Sequence, residues 1–194
     1  MRPPDDLDAE RLRSILSRNA WLMEILRTVR EVHPPNWVVG SGVIRNIVWD
    51  WMHEVDEPTP IRDVDVAYFD RSNLARERDD ALAQQLRERQ PEVPWEVTNQ
   101  AGVHLWYETK FGFPIPPARS IEDAVGMWPE TATAVAVRLQ PDNSLYVVAP
   151  CGLTDLLGLR LRRNTRQVTH EFFQQRLREQ RVQQVWPRVT VLDE

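Results

Sequence analysis

The stretch of sequence that decides the fold begins with Trp37-Val38-Val39-Gly40-Ser41-Gly42-Val43-Ile44-Arg45-Asn46 and ends with Asp63-Val64-Asp65-Val66-Ala67-Tyr68-Phe69-Asp70. The first apolar run predicts a short buried strand, and the apolar spacing from Val43 to Met52 predicts a helix directly after the Gly-Ser-Gly turn. The apolar run from Ile61 to Phe69 predicts a second strand. A strand, a tight turn and a helix followed by another strand are typical of an α/β fold.

The turn Gly40-Ser41-Gly42 is the first candidate binding site. Between a strand and a helix, such a turn directs free backbone N–H groups and the positive end of the helix dipole at one spot, which suits a phosphate. The Ser41 hydroxyl can also donate to that phosphate. The alternative is a plain turn that needs glycine for its dihedral angles. No Gly-Lys-Ser/Thr follows, so the turn is not a Walker A loop.

Asp63 and Asp65 form the second candidate site. Because side chains alternate along a strand, both point to the same side, with Cα atoms ~6.5 Å apart. Aspartate is depleted in strands, and two such carboxylates repel each other unless a cation lies between them. Mg²⁺ takes a few carboxylates together with waters and phosphate oxygens, so the pair predicts a Mg²⁺ or Mn²⁺ site. The alternative is a solvent-facing strand edge at which Arg62 or another arginine pairs with the carboxylates.

Three more residues are candidates for the same site. Glu96 lies on the next β-like segment, 94–98, where it could join the metal cluster as a third carboxylate that orients or deprotonates an attacking hydroxyl; the alternative is a surface glutamate. Arg45 could reach a phosphate from the first turn of its helix, or form a surface salt bridge. Asn99 is a candidate nucleotide contact. The predicted catalytic and metal-binding residues are therefore Asp63, Asp65 and Glu96, and the predicted nucleotide-binding residues are Gly40, Ser41, Gly42, Arg45 and Asn99.

The rest of the sequence predicts helices around a small mixed sheet, with a C-terminal hairpin and further helices. Residues 5–32 predict two helices that meet at Asn19. Ser120 predicts a helix cap, with Asp123 placed to complete a capping box. The other predicted elements are a charged helix over 73–90, a short helix over 100–107, a hairpin of 131–139 with 145–149, helices over 153–163 and 169–183, and an extended segment over 186–194. We expect one domain over 1–194, with N-terminal helices in 1–36, the core and metal site in 37–100, and an extension in 101–194.

Composition limits the classes of function. A net charge of −5 over 194 residues argues against a surface that coats nucleic acid. The sequence has one cysteine, so no disulfide within the chain is possible. Neither a secretory signal nor an apolar run long enough to span a bilayer is apparent, so we expect a cytoplasmic protein with no membrane partner. A basic cluster at Arg160, Arg162, Arg163 and Arg166 could contact a phosphate-rich acceptor such as RNA, or be a solvated helix end.

Taken together, these motifs resemble those of a known superfamily. A Gly-Ser turn opening a helix, an Asp-x-Asp strand and an acidic residue on a later strand resemble the polymerase-beta-like nucleotidyltransferases. More narrowly, the chain is similar to a bacterial branch known mainly from sequence and called simply the nucleotidyltransferase family. The stretches that carry the resemblance are 40–49, 63–70, 95–107, 111–114, Trp128-Pro129-Glu130-Thr131-Ala132-Thr133-Ala134 and 149–156.

The resemblance implies Mg²⁺-dependent transfer of a nucleoside monophosphate from an NTP to an acceptor with release of pyrophosphate. It implies that Gly40 and Ser41 hold triphosphate and that Asp63 and Asp65 bind metal. The acceptor stays open between a small molecule, an RNA end and a protein side chain, and so does the oligomeric state. Two departures, Thr98 and Gly102 where the branch often has Lys and Arg, favour an alternative: a non-catalytic nucleotide-binding or regulatory module on the same fold.

Overall fold

The computed structural model describes residues 6–192, whose helices and strands follow the predicted alternation. The helices are Asp6–Ser17 (α1), Ala20–Val32 (α2), Gly42–His53 (α3), Arg76–Arg89 (α4), Tyr107–Phe111 (α5), Ile121–Val125 (α6), Thr154–Leu157 (α7), His170–Gln180 (α8) and Val182–Val185 (α9), with a 3₁₀ turn at Val103–Leu105. The strands are Val38–Gly40 (β1), Val64–Tyr68 (β2), Trp95–Asn99 (β3), Ala136–Leu139 (β4), Leu145–Val148 (β5), Arg160–Arg162 (β6) and Thr190–Leu192 (β7).

The central sheet has five strands in the order β3-β2-β1-β4-β5. Strands β2 and β3 are parallel, as expected for a pair joined by helix α4, and the other pairs are antiparallel. The register places Ala136, Gly40, Asp65 and Glu96 side by side across four strands. This row therefore brings the Gly-Ser-Gly turn, the Asp-x-Asp pair and Glu96 to one place on the sheet.

The two faces of the sheet differ in what covers them. Val64, Val66 and Tyr68 of β2 belong to the larger core, which the N-terminal helices cover. The alternate residue Ala67 belongs to a smaller apolar cluster with residues of α6. Because side chains alternate along a strand, Asp65 lies on the face of the smaller cluster. The candidate site is therefore on the side of the sheet away from the larger core.

Helix α3 is buried along most of its length, since residues 43–50 are all buried. Its Trp49 donates to the Leu156 carbonyl at 2.9 Å and meets Trp186 edge to face at 5.3 Å. The Asp50 carboxylate accepts hydrogen bonds from Trp186 and from the Thr59 backbone, each at 2.7 Å. A helix fixed on all sides gives the preceding turn a rigid support.

Several details of the N-terminal and middle elements are confirmed. Asn19 separates two helices and caps the second, since its side chain accepts from the Leu22 N–H at 2.9 Å. Ser120 caps α6 by accepting from the Asp123 N–H at 3.2 Å. The Asp123 carboxylate, however, accepts from the Arg119 N–H rather than from Ser120, so the capping box is not closed as predicted. The hairpin of β4 and β5 is confirmed.

The helix predicted over 153–163 is wrong in its second half. Helix α7 ends at Leu157, and Leu159 has a φ of 53°, in the left-handed region that helices do not continue through. The chain then forms β6, which pairs in parallel with β7. The helix predicted over 169–183 is likewise interrupted at Arg181, which has a φ of 50°. In the part of the chain that the structure describes, no helix combines the length and apolar character needed to cross a membrane.

Candidate active site

A cavity of about 650 Å³ opens on the face of the sheet that carries Asp65. Its lining includes the carboxylates of Asp63, Asp65 and Glu96 together with the Ser41 turn. It also includes a group of aromatic side chains, Trp106, Tyr107, Phe111 and Phe172. Four basic side chains also line the cavity, namely Arg45, Arg62, Lys110 and Arg176. A ligand with a charged end and a flat apolar end matches this distribution.

The three predicted carboxylates lie together in this cavity. Asp65 and Glu96 are direct partners across the parallel β2–β3 pair, and Asp63 precedes β2. Burial raises the pKa of Asp65 from 3.8 to about 7, and the negative charges of Asp63 and Glu96 add to the rise. A hydrogen bond with the Ser41 side chain acts in the opposite direction. A bound cation would lower the pKa of Asp65 again, because a nearby positive charge favours the ionised carboxylate.

The Ser41 turn has a strained backbone. Ser41 has a φ of 63° and a ψ of −131°, a conformation that side-chain-bearing residues rarely adopt and that costs about 1–3 kcal/mol. Its N–H donates to the Val135 carbonyl at 3.1 Å, and its side chain makes no capping bond to α3. The first N–H groups of α3 have no acceptor within the helix, and a Cβ on Gly42 would meet open space. The turn therefore offers an open approach at Gly42.

Gly40 has a different role from the one predicted. A Cβ at this position would lie 2.6 Å from the Ala136 Cβ and 2.7 Å from the Trp128 ring. Gly40 thus allows β1 to approach β4 and the Trp128 ring, and it does not line the cavity. The structure assigns Gly40 to packing, whereas Ser41 and Gly42 face the cavity.

The donor set of the carboxylate end fits Mg²⁺ or Mn²⁺. Carboxylate oxygens are the hard ligands that these ions prefer. Among residues 6–192, however, no three His, Cys, Asp or Glu side chains form a ready-made metal cluster. Mg²⁺ is usually held by one or two carboxylates, waters and substrate phosphates rather than by a closed protein cage. A metal site with few protein ligands, whose coordination is completed by nucleotide phosphates, is consistent with both observations.

Arg45 is not the surface residue that one alternative predicted. It is 7% exposed and packs against Trp49 and Trp186, with its guanidinium carbon 5.4 and 5.1 Å from the ring centres. It donates to Asn46 and, at 2.8 Å, to Gln180 of α8. Burial lowers its pKa to about 10, so it stays charged at neutral pH. Arg45 lines the cavity while it connects α3 to α8.

Asn99 lies outside the cavity, contrary to the predicted nucleotide contact. Its side-chain oxygen accepts from the Asp70 and Ala101 N–H groups, and its amide donates to the Asp70 and Asn73 carbonyls. All of its hydrogen-bonding capacity is therefore used to hold the loop after β2. Its neighbours Thr98 and Gln100 line the cavity instead.

Arg176 of α8 lines the cavity but was not predicted from the sequence. Its Nε donates to the Glu130 carboxylate at 2.6 Å. Burial acts to lower the pKa of Arg176, but the charge of Glu130 and the hydrogen bond to it keep that pKa above its usual value. Glu130 belongs to the Trp-Pro-Glu-Thr-Ala-Thr block, so the conspicuous motif was the available signal. Its partner lies 46 residues later and carried no local signal.

His104 and the clustered arginines differ in whether they line the cavity. His104 lines the cavity, and its Nδ1 is buried without a hydrogen-bond partner among the described residues. None of the four clustered arginines from Arg160 to Arg166 lines it. Within that cluster, Arg162 pairs with Asp155 at 3.1 Å, and Arg163 donates to the Val168 carbonyl. Two arginines of this cluster therefore make contacts outside the cavity.

Comparison with known protein families agrees with these features. A family model described as nucleotidyltransferase matches residues 27–191, which include every residue of the cavity discussed above. The chain belongs to this nucleotidyltransferase family. No curated protein matches the chain in sequence. The resemblance predicted from the turn and the carboxylates is thus confirmed at the level of the family.

Solved structures show the same nucleotidyltransferase fold. One, described as an NMR structure that reveals a CCA-adding enzyme head domain, is 24% identical, with a TM-score of 0.78 over 95% of this chain and 96% of that one. Another, a CCA-adding enzyme in complex with CTP, is 15% identical, with a TM-score of 0.54 over 93% of this chain. This chain spans 43% of the length of that enzyme. The predicted mixed α/β fold is confirmed.

Proposed function

We propose that the protein is a Mg²⁺-dependent nucleotidyltransferase that moves a nucleoside monophosphate from an NTP to an acceptor hydroxyl. The observation that carries this proposal is the juxtaposition of Asp63, Asp65 and Glu96 with the Ser41 turn in one cavity. Membership of the nucleotidyltransferase family supports the reaction class. The CTP named for one neighbour supports a nucleotide as the donor.

The polar and aromatic parts of the cavity lining suit the phosphates and the base of an NTP. Ser41 and Gly42, where α3 begins, line the cavity, and a phosphate beside them would meet the helix dipole. Trp106, Tyr107, Phe111 and Phe172 also line it. Tyr107 and Phe111 have ring centres 4.5 Å apart, and Phe111 and Phe172 are 5.5 Å apart. A nucleobase beside these rings would meet aromatic faces and edges, which favour flat rings.

Asp63 and Asp65, with Glu96 where it joins them, would hold the metal. When bound, a divalent ion supplies charge neutralisation at the phosphates and polarises the phosphoryl oxygens. The raised pKa of Asp65 fits this role, because a cation replaces the proton that the site otherwise favours. Mn²⁺ prefers the same oxygen ligands and would substitute for Mg²⁺.

The chemical step itself is a displacement at the α-phosphorus. The acceptor oxygen forms a new bond to that phosphorus, the bond to the bridging oxygen breaks, and pyrophosphate leaves with the electron pair. Glu96 is exposed at the cavity and is the carboxylate placed to take the acceptor proton. Most of the rate enhancement would come from positioning and from charge placed in advance.

A second function, a nucleotide-binding module without catalysis, is favoured by one observation. Thr98 faces the cavity beside Ala67, at a position where the branch often has lysine. The cavity would then bind an NTP with fewer basic contacts to the leaving group. The two functions differ in whether pyrophosphate is released.

The test measures Mg²⁺-dependent NTP binding by calorimetry and pyrophosphate release over a panel of hydroxyl acceptors. Asp63→Asn and Asp65→Asn should each lower metal-dependent release by about 100-fold or more, the loss typical of removing one charge-stabilising group. Glu92→Gln is the matched control, since Glu92 is an exposed carboxylate outside the cavity. The control should behave as the wild type.

Three outcomes are informative. Binding with pyrophosphate release supports the transferase. Mg²⁺-dependent NTP binding without release from any acceptor supports the binding module. Absence of metal-dependent NTP binding contradicts both functions.

A further inference from the structure

The Trp-Pro-Glu-Thr-Ala-Thr block contains a buried carboxylate that the proposed reaction has not used. Glu130 is 0% exposed, and a buried charge is costly unless it is paired and hydrogen-bonded. Its Oε2 accepts from the Thr133 hydroxyl at 2.6 Å, and its Oε1 accepts from the Arg176 Nε at 2.6 Å. Glu130 is therefore held in place by these hydrogen bonds, and it connects this block to helix α8.

Arg176 approaches Glu130 with only one edge of its guanidinium. The Nε contact is short, and a second contact joins Nη2 to Oε2 at 3.4 Å. Its Nη1 donates to no residue of the described range 6–192, so this group has donors left over. The Arg176 side chain is 30% exposed and lines the same cavity as the carboxylates. Its positive charge acts to lower the pKa of Asp65, so the two groups interact electrostatically.

The same segment also contacts the Ser41 turn. The Val135 carbonyl, two residues after the block, accepts the Ser41 N–H at 3.1 Å. Trp128 at the start of the block packs against Gly40. One segment thus supports both the Ser41 turn and Arg176. A change in this segment would move both together.

We propose that Arg176 is a triphosphate-binding residue and that Glu130 is the positioning residue that presents its free N–H groups to the phosphates. This inference rests on the proposed function and extends it to α8, a helix far along the chain from the Asp-x-Asp strand. A guanidinium held along one edge by a carboxylate keeps its other donors in a fixed plane, which suits two phosphate oxygens.

The experiment compares binding of the four standard NTPs, their di- and monophosphates and inorganic tripolyphosphate, each with Mg²⁺, by calorimetry. Arg176→Gln should weaken NTP and tripolyphosphate binding by roughly 10- to 100-fold, the range for hydrogen bonds to charged groups, and monophosphate binding much less. Arg176→Lys should fall between, since it keeps the charge but loses the fork. Arg178→Gln, which changes an exposed arginine of the same helix outside the cavity, should match the wild type.

Glu130→Gln tests the positioning role of Glu130 while Arg176 itself stays in place. Glutamine keeps an acceptor for Arg176 and a partner for Thr133, so the fold should survive with a lower Tm. We expect NTP and tripolyphosphate affinity to fall by about 3- to 10-fold, with monophosphate affinity unchanged. A purely structural role would lower the Tm without making the loss depend on phosphate number.

The outcomes separate this inference from the proposed function. If the wild type binds NTP with Mg²⁺ and Arg176→Gln binds it equally well, the role of Arg176 is overturned while the proposed function stands. If Glu130→Gln loses stability only, Glu130 is not a positioning residue. If the wild type binds no NTP, the proposed function fails and this inference fails with it.

Discussion

Replacing Asp65 by asparagine should stabilise the metal-free protein, and the gain should grow with pH. Burial and the charges of Asp63 and Glu96 raise the pKa of Asp65 from 3.8 to about 7. The folded state therefore holds the proton more tightly than the unfolded chain does. Stability contributed by this group is present at low pH and is lost as the pH rises from about 4 to about 7.

The magnitude follows from the two pKa values. Their difference corresponds to about 4 kcal/mol of unfolding free energy, which is the full advantage of Asp65→Asn above about pH 7.5. The advantage should shrink as the pH falls and disappear below about pH 4. Between pH 5 and pH 8 we expect it to widen by about 2–3 kcal/mol.

The assay is urea unfolding of the wild type and Asp65→Asn at pH 5, 6, 7 and 8 in the presence of EDTA. Glu92→Gln removes an exposed carboxylate and should track the wild type at every pH. Adding Mg²⁺ at pH 8 should stabilise the wild type by about 1.4 kcal/mol at ten times its Kd and leave Asp65→Asn nearly unchanged. A free-energy difference that is independent of pH, or that narrows as the pH rises, would refute the reasoning.

Two further predictions concern the supports of the site. Gly40→Ala should lower the free energy of unfolding by about 1–3 kcal/mol, because its Cβ would lie 2.7 Å from the Trp128 ring, whereas Gly42→Ala should change it by less than about 0.5 kcal/mol. Denaturant unfolding measures both, and equal effects would contradict the assignment of Gly40 to packing. Asp50→Asn should cost about 1–3 kcal/mol, since asparagine keeps an acceptor for the Trp186 N–H but its NH2 group cannot accept the Thr59 N–H, which the carboxylate accepts at 2.7 Å. A Tm unchanged in that variant would contradict the bond's contribution.

The fold could largely be predicted because its signals are local. Asn19 lies between two apolar stripes, and the structure shows two helices with Asn19 as the cap. The strand that carries Asp65 was predicted from an apolar run, and Glu96 was expected on a neighbouring strand. The parallel register that makes them direct partners needed the β2–α4–β3 connection as well as the pattern.

The errors occur where distant contacts outweigh local preference. Residues 160–162 have helical composition, yet they form a strand because residues 190–192 pair with them in parallel. Asn99 follows a strand end in the manner of a ligand-binding residue, but the loop at Asp70 and Asn73 uses its amide. Arg176 was missed because its partner Glu130 is far away in sequence. No periodicity in the sequence encodes such contacts.

The ion pair of Glu130 and Arg176 also joins two parts of the chain that are synthesised at different times. All five strands of the central sheet lie within residues 38–148, so the ribosome makes Asp63, Asp65, Glu96 and Glu130 before it makes α8. At about 5–20 residues per second, the stretch from Val148 to Gln180 takes a few seconds to make. During that interval Glu130 lacks its arginine, and of the basic side chains that line the cavity Arg176 is still missing. Docking of α8 is therefore the step that pairs the buried Glu130 carboxylate and brings Arg176 to the cavity that Asp65 lines.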